Sequence, residues 1–302
     1  DNGSSDSSVE MMRAEFPNIR LLVNARNEGF AGGYNTALRQ VTADYFVLLN
    51  SDVEVTPGWL DPMVALMEGD PSIAACQPKL LTWSDRGRFE YAGASGGWID
   101  ALGYPFMRGR VMEHCEEDRG QYDQAGPCFW ASGAALMVRS GAYWEVGGLD
   151  PWFFAHQEEI DLCWRLKMAG YQVFVQPASV VYHVGGGTLA PGPGKIFLNF
   201  RNNLVMLAKN LPWGQLLWKL PLRFGLNGMA ALHFLAGGRT GYFWAVIRSF
   251  GAFLGWLFSG RKRSIFPHKR KAISGRGWYP GSLLWDYYAR GRRTFSQIVR
   301  RN

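Results

Sequence analysis

The run Tyr45-Phe46-Val47-Leu48-Leu49 is apolar or aromatic throughout and ends at once on Asn50-Ser51-Asp52. Five such residues without polar alternation predict a buried strand that delivers an amide, a hydroxyl and a carboxylate to the carboxyl edge of a sheet. Upstream, residues 9–16 have helical spacing, and Pro17-Asn18 closes them before a short apolar strand at 19–23. A glycine-rich loop over 24–35 then leads into a helix at 36–40. Downstream, Thr56-Pro57-Gly58-Trp59 opens a helix whose apolar residues run at helical spacing to Met67, and residues 73–83 read as a strand interrupted by Pro78. From 84 to 123 no period is sustained, which predicts a long variable excursion and a candidate part of a ligand pocket.

Regular patterning returns at Ser132 to Val138, where small residues run into a strand, followed by a helical turn at 143–147. Between Phe153 and Tyr171, the positions Ile160, Cys163, Trp164 and Leu166 share one helix face, which Gly170 terminates. A strand from Val173 ends on His183, ahead of Gly185-Gly186-Gly187-Thr188. The last third reads as three helices, at 197–210, 213–226 and 242–258. The third is nearly all apolar but holds Arg248 near its middle, which predicts a helix lying in a membrane interface rather than crossing it.

Charge divides the chain. Residues 1–194 hold 13 Lys and Arg against 24 Asp and Glu, a net of −11; residues 195–302 hold 19 against the single Asp286, a net of +18. An acidic domain followed by a basic segment predicts an anionic partner. The runs Arg261-Lys262-Arg263 and Lys269-Arg270-Lys271, interleaved with aromatics, suit a membrane surface, and no nucleic-acid motif accompanies them. Cys76, Cys115, Cys128 and Cys163 form no CxxC pair, as expected of reduced thiols in a cytosolic protein.

Three stretches carry candidate chemistry. A strand, a glycine-rich turn and a helix start together favour an anion, although the spacing is not the GxGxxG of dinucleotide folds. Asn50-Ser51-Asp52 is either a strand-ending turn or part of a metal and phosphate site. Glu158, Glu159 and Asp161 suit the positive end of a helix, and crowding three carboxylates also raises a pKa, as a general base requires. His183 would emerge on the same sheet edge as Asp52, and an imidazole beside a carboxylate suits a divalent cation.

Together, Asp1-Asn2-Gly3-Ser4-Ser5-Asp6, Asn27-Glu28-Gly29-Phe30-Ala31 with Asn35, Leu48 to Asp52, Glu158 to Arg165 and His183 resemble glycosyltransferase family 2 enzymes of the rhamnosyltransferase-like kind. The resemblance covers residues 1–205. It implies an α/β GT-A fold, a Rossmann-like nucleotide-binding mixed sheet flanked by helices, over 1–195. A helical, basic, membrane-associating extension would follow over 196–302. The implied reaction is an inverting transfer from a nucleotide-diphosphate sugar, of dTDP-rhamnose or UDP-sugar type, to a saccharide or polyprenyl-linked saccharide hydroxyl in cell-wall or polysaccharide biosynthesis.

By the same resemblance, Asp1 would hold the base or ribose, and Asn27, Gly29, Phe30, Ala31, Asn35, Asn50 and Ser51 would line the nucleotide site. Asp52 would bind Mg²⁺ or Mn²⁺, with His183 completing the shell. Glu159 takes the place of the catalytic base, where aspartate is commoner, which leaves Glu158 and Asp161 as rival candidates. The family's first strand is expected to be missing, since the turn-rich opening cluster is of the kind that follows one. The cytoplasmic face of the plasma membrane is the expected location. The alternative is an inactive nucleotide-sugar-binding or scaffold protein, which Asn50 encourages; a nucleotidyltransferase would not require the 158–165 block or His183.

Overall fold

The computed structural model describes residues 1–185, 191–259 and 275–299, so Gly186-Gly187-Thr188 and the basic runs at 261–263 and 269–271 lie outside the described residues. Two helices, α1 (Ser8–Glu15) and α2 (Gly29–Leu38), precede β1 (Tyr45–Leu49), which the Asn50-Ser51-Asp52 turn joins to β2 (Val53–Val55). Then come α3 (Asp61–Gly69), β3 (Ile73–Thr82) and four short strands: β4 (Gly97–Asp100), β5 (Pro105–Met107), β6 (Arg110–Val111) and β7 (His114–Cys115). β8 (Gly126–Cys128), β9 (Ala135–Arg139), α4 (Ser140–Glu145), α5 (Glu158–Ala169) and β10 (Gln172–His183) follow. The basic segment forms α6 (Pro193–Asn210), α7 (Trp213–Ala236), α8 (Thr240–Phe258), β11 (Trp278–Tyr279) and α9 (Phe295–Ile298).

The main sheet is mixed, in the order β1-β9-β3-β10-β2 with β8 added on β10. β3 and β10 run parallel and their other partners antiparallel. β3 is buried at nine successive positions because the sheet is covered on both faces; α3 packs against β3 and β10, and α5 against β10. The register that pairs His183 with Val53 sets the end of β10 beside the turn after β1, and Val184 N–H donates to Asp52 O at 3.0 Å.

The structure corrects several expectations. Residues 19–23 form no strand: Leu22 O accepts from the Asp1 amino group at 2.7 Å and Asn24 N–H donates to Asp1 O at 3.0 Å, a pairing with one residue that is too short for a ladder. The glycine-rich stretch is mostly helix, since α2 begins at Gly29 rather than at Thr36. Its glycines serve close approach: Gly29 has φ +72°, and a Cβ on Gly33 would stand 2.8 Å from the Asn2 carboxamide. α3 starts at Asp61, after a turn in which Gly58 has φ +68°. Pro78 does not break β3, because β10 shifts register opposite it, between Gln176 and Val180. The 84–123 excursion supplies four strands of a second sheet, β11-β4-β5-β6-β7, whose strands of two to four residues are too short to show a period. α7 continues past 226 to Ala236, through Pro221.

The basic segment packs onto these layers. Leu204, Val205, Met206 and Leu207 of α6 are fully buried, and α6 contacts α5, α7 and α8. Phe295 of α9 meets the rings of Trp98, Phe106 and Tyr122 at 5.2, 5.9 and 5.7 Å, closing the second sheet. The four cysteines are free thiols.

Candidate active site

Three segments meet at the carboxyl end of the main sheet: the turn after β1, the end of β10 and the start of α5. Asp52 and His183, 131 residues apart, come together with Oδ1 and Nε2 at 3.1 Å. The other ring nitrogen, Nδ1, lies 3.3 Å from Glu90 Oε2. Burial disfavours a proton on this imidazole, but Glu90 and Asp52 outweigh it and hold the His183 pKa above its ordinary value. Two carboxylates that stabilise a proton here also favour a divalent cation in its place. Among the described residues no group of three or more His, Cys, Asp or Glu side chains is arranged to cage a metal. Asp52 and His183 are the side chains that could hold a cation here, one that completes its shell with phosphate oxygens and water.

Opposite this pair stand Glu158 and Glu159. They line a chamber of 120 Å³ together with Asp52, His183, His156 and Lys195. Each has one carboxylate oxygen, Oε2, with no hydrogen-bond partner in the protein. Burial, reinforced by the charge of Glu159, pushes the Glu158 pKa well above the usual carboxylate range. Burial alone raises Glu159, to about 7. Gly133 keeps space beside it, since a Cβ there would stand 3.2 Å from Phe30 and 3.6 Å from Glu159 Cβ.

The backbone that delivers these glutamates is strained. Phe154, His156 and Gln157 all have positive φ, at 65°, 70° and 73°. α6 holds the segment in place: Asn202 Nδ2 donates toward the carbonyls of Phe153, Ala155 and His156 at 2.9, 2.8 and 2.8 Å, and Arg201 donates to Phe153 O at 2.9 Å. His156 carries an unpartnered Nε2, and burial followed by the nearby Lys195 charge lowers its pKa to about 4, so it is neutral at physiological pH.

A larger cavity of 650 Å³ adjoins the chamber and shares Phe30, Asn50 and Ala155 with it. Asp1, Asn27, Gly29, Phe30, Asn50 and Ser51 line it, so six of the eight residues expected at the nucleotide face one space. Asp1 is held by its own turn, with Oδ1 accepting from Gly3 and Ser4 N–H at 2.9 Å each. Ala31 and Asn35 line neither the chamber nor this cavity. Ala31 is fully buried, and Asn35 spends its carboxamide on Leu149 O at 2.6 Å and the Tyr143 hydroxyl at 2.6 Å. Asp161 is fully buried on the far side of α5, paired with Arg165 and Lys209 at 2.9 Å each. The sequence did not single out Glu90, His156, Lys195 or Asn202; the one local signal is the polar triplet Arg201-Asn202-Asn203 directly before the apolar run Leu204 to Ala208.

Residues 1–146 match the model of glycosyl transferase family 2. The chain is 28% identical over 250 residues to the N-acetylglucosaminyl-diphospho-decaprenol L-rhamnosyltransferase of Mycobacterium tuberculosis, which covers 77% of this chain and 80% of that protein. It is also 28% identical over 169 residues to the pre-mycofactocin glycosyltransferase of the same organism, over 55% of this chain and 32% of that one. In structure it resembles residues 1–349 of S. aureus TarS, with a TM-score of 0.50, 14% identity, and coverage of 84% of this chain and 69% of that one. At that identity the likeness shows a shared fold of the GT-A kind and nothing finer.

Proposed function

With residues 1–146 belonging to glycosyl transferase family 2, we propose that the chain transfers a sugar from a nucleotide-diphosphate donor to a hydroxyl of a polyprenyl-linked saccharide, with inversion. The observation that carries this reading is Glu159, a half-buried carboxylate with a pKa near 7, facing the Asp52–His183 pair across one chamber that opens into the nucleotide-sized cavity. The M. tuberculosis relative suggests dTDP-rhamnose as the first donor to try and a diphospho-N-acetylglucosamine lipid as the acceptor. On this reading the reaction belongs at the cytoplasmic face of the plasma membrane.

In the larger cavity, Asp1 and Asn27 hold the base and ribose, and Asn50 and Ser51 stand where the nucleotide meets the chamber. Asp52 and His183 would hold Mg²⁺ or Mn²⁺, which when bound offsets charge on the leaving diphosphate. Glu159 accepts the proton of the acceptor hydroxyl. The hydroxyl oxygen forms a bond to the anomeric carbon from the side opposite the diphosphate, the carbon–oxygen bond to the diphosphate breaks, and the configuration inverts. His156, neutral and unpartnered, is placed to hydrogen-bond a sugar hydroxyl.

A panel of nucleotide sugars with a short-chain polyprenyl diphospho-N-acetylglucosamine acceptor tests the reading. Release of dTDP or UDP together with a glycosylated lipid is the expected result. Donor binding with neither product would leave a nucleotide-sugar-binding protein instead. Asp52→Ala is expected to weaken donor binding at least ~10-fold with Mg²⁺ or Mn²⁺ present and little with chelator, because the lost group is a cation ligand. Titration calorimetry under both conditions checks it, and equal affinities for variant and parent would remove Asp52 from that role.

The pH dependence follows from Glu159. A base must be ionised, and burial has raised this carboxyl to about 7, so kcat/KM should fall with unit slope as pH drops below about 7 and level off above it. A profile flat down to the ordinary carboxylate range would show that Glu159 is not the titrating base.

A further inference from the structure

α7 is inside out for a helix of a water-soluble surface. Among its 24 residues the only charged side chains are Lys219 and Arg223, and both turn inward, 4% and 3% exposed. The Lys219 ammonium bonds Gln215 Oε1 at 2.7 Å and lies 5.2 Å from the Trp278 ring. The Arg223 guanidinium stands 3.5 Å from the centre of the Tyr104 ring and donates to Asn203 Oδ1. The outer side is apolar instead: Trp213, Leu217, Trp218, Leu222, Met229 and Leu232 are exposed, Leu217 at 75% and Leu232 at 61%. α8 packs against α7 and bares Trp244, Leu254 and Phe258, the last 81% exposed. A surface helix ordinarily sends its apolar stripe inward and its charges out. Here the helix buries its cations and shows its leucines, and an apolar patch of this extent marks an interaction surface.

Charge decides between the two coverings that such a face could take. A second copy would bring another segment of 19 basic residues and a single acid against this one. That acid, Asp286, is already paired with Arg290 and Arg292. Anionic headgroups would be attracted, and Arg239, in the α7–α8 connection, and Arg248, on the outer side of α8, are exposed cations beside the apolar residues. Tryptophan at three of the exposed positions fits the boundary between headgroups and acyl chains. No helix among the described residues is long and apolar enough to cross a membrane, so such a contact lies in the plane of the surface.

We propose that the uncharged outer side of α7, extended by Trp244, Leu254 and Phe258 of α8, inserts into the surface of an anionic bilayer. The inference goes beyond the transferase reading: it depends on neither Glu159 nor a donor. It also gives the fold a consequence for that reading. α6 packs on α8 and, through Asn202, holds the 153–156 segment that leads into Glu158 and Glu159, so on the transferase reading the chamber is tied to the lipid-facing helices.

Flotation of the full chain with phosphatidylglycerol–phosphatidylcholine vesicles, against phosphatidylcholine alone, tests it without an activity assay. The parent should float with the anionic vesicles, and Leu217→Asp with Leu232→Asp should lower the bound fraction at least ~10-fold, since both side chains would sit in the acyl boundary. Both positions are exposed, so an unchanged thermal transition would confirm that the variant is folded. A folded variant that floats like the parent overturns the proposal in favour of binding by charge alone. A parent that stays at the bottom and sediments as a dimer, which the substitutions dissociate, overturns it in favour of a second copy.

Discussion

Glu159→Gln is expected to abolish most transfer while leaving the donor bound. Glutamine keeps the size and shape of the side chain but cannot take a proton, so kcat should fall by roughly 10²–10⁴. Donor affinity should hold, because Glu159 lines the inner chamber whereas Asp1, Asn27 and Ser51 line the adjoining cavity. Its neighbour provides the contrast. Glu158 is almost fully buried, and burial, reinforced by the charge of Glu159, drives its pKa well above the usual carboxylate range, which favours the protonated form. Glu158→Gln keeps the shape of the side chain and the donor that a protonated carboxyl offers, and should cost no more than about tenfold, of the order of one hydrogen bond. Single-turnover transfer by both variants, with calorimetry of nucleotide binding, distinguishes them. Loss of activity in Glu158→Gln with a working Glu159→Gln would exchange their roles.

What could be read from sequence follows the range of the interactions. The Asn50-Ser51-Asp52 turn was legible because β1 declares itself in five consecutive residues, and α5 because its apolar face and its Gly170 stop are local. That His183 meets Asp52 could be expected only as a shared sheet edge; the contact itself is fixed by the pairing of β10 with β2. Glu90, 3.3 Å from His183 Nδ1, lies in a stretch whose strands are too short to show a period. The clamp by Asn202 spans 46 to 49 residues and leaves no local trace beyond a polar triplet at the edge of an apolar run. Asn35 shows the converse error. An amide in a glycine-rich stretch beside a nucleotide motif resembles a ligand contact, yet helix packing buries it and the Leu149 carbonyl and Tyr143 hydroxyl take up its carboxamide.

Lys209→Met should produce the largest loss of stability. Lys209, 1% exposed, reaches Asp150 Oδ2 at 2.7 Å and Asp161 Oδ2 at 2.9 Å, at the two ends of the segment that holds the glutamate pair. Burial by itself favours the neutral acid at Asp161, but Lys209, Arg165 and the Asn210 amide outweigh it and hold the pKa below the ordinary value. Methionine matches the length of the lysine stem and removes the charge, leaving a buried carboxylate short of its counter-ion. Breaking one side of such a pair costs ~3–5 kcal/mol, and for a chain of this size that is roughly a 5–15 °C fall in Tm. The sign of the pH effect follows from the depressed pKa. The stability that an ionised Asp161 contributes is present above its unfolded value of about 4 and is lost as pH falls through the folded one. The gap between parent and variant should therefore be widest near neutrality and narrow in acid. Urea unfolding of both proteins at neutral and acidic pH measures it, and a variant as stable as its parent at pH 7 would show that Arg165 and Asn210 suffice to hold Asp161. Because Asp150 caps the turn that leads into the strained 154–157 loop, through Trp152 N–H at 3.0 Å, the variant should also lose transfer below its melting range as the placement of Glu159 loosens.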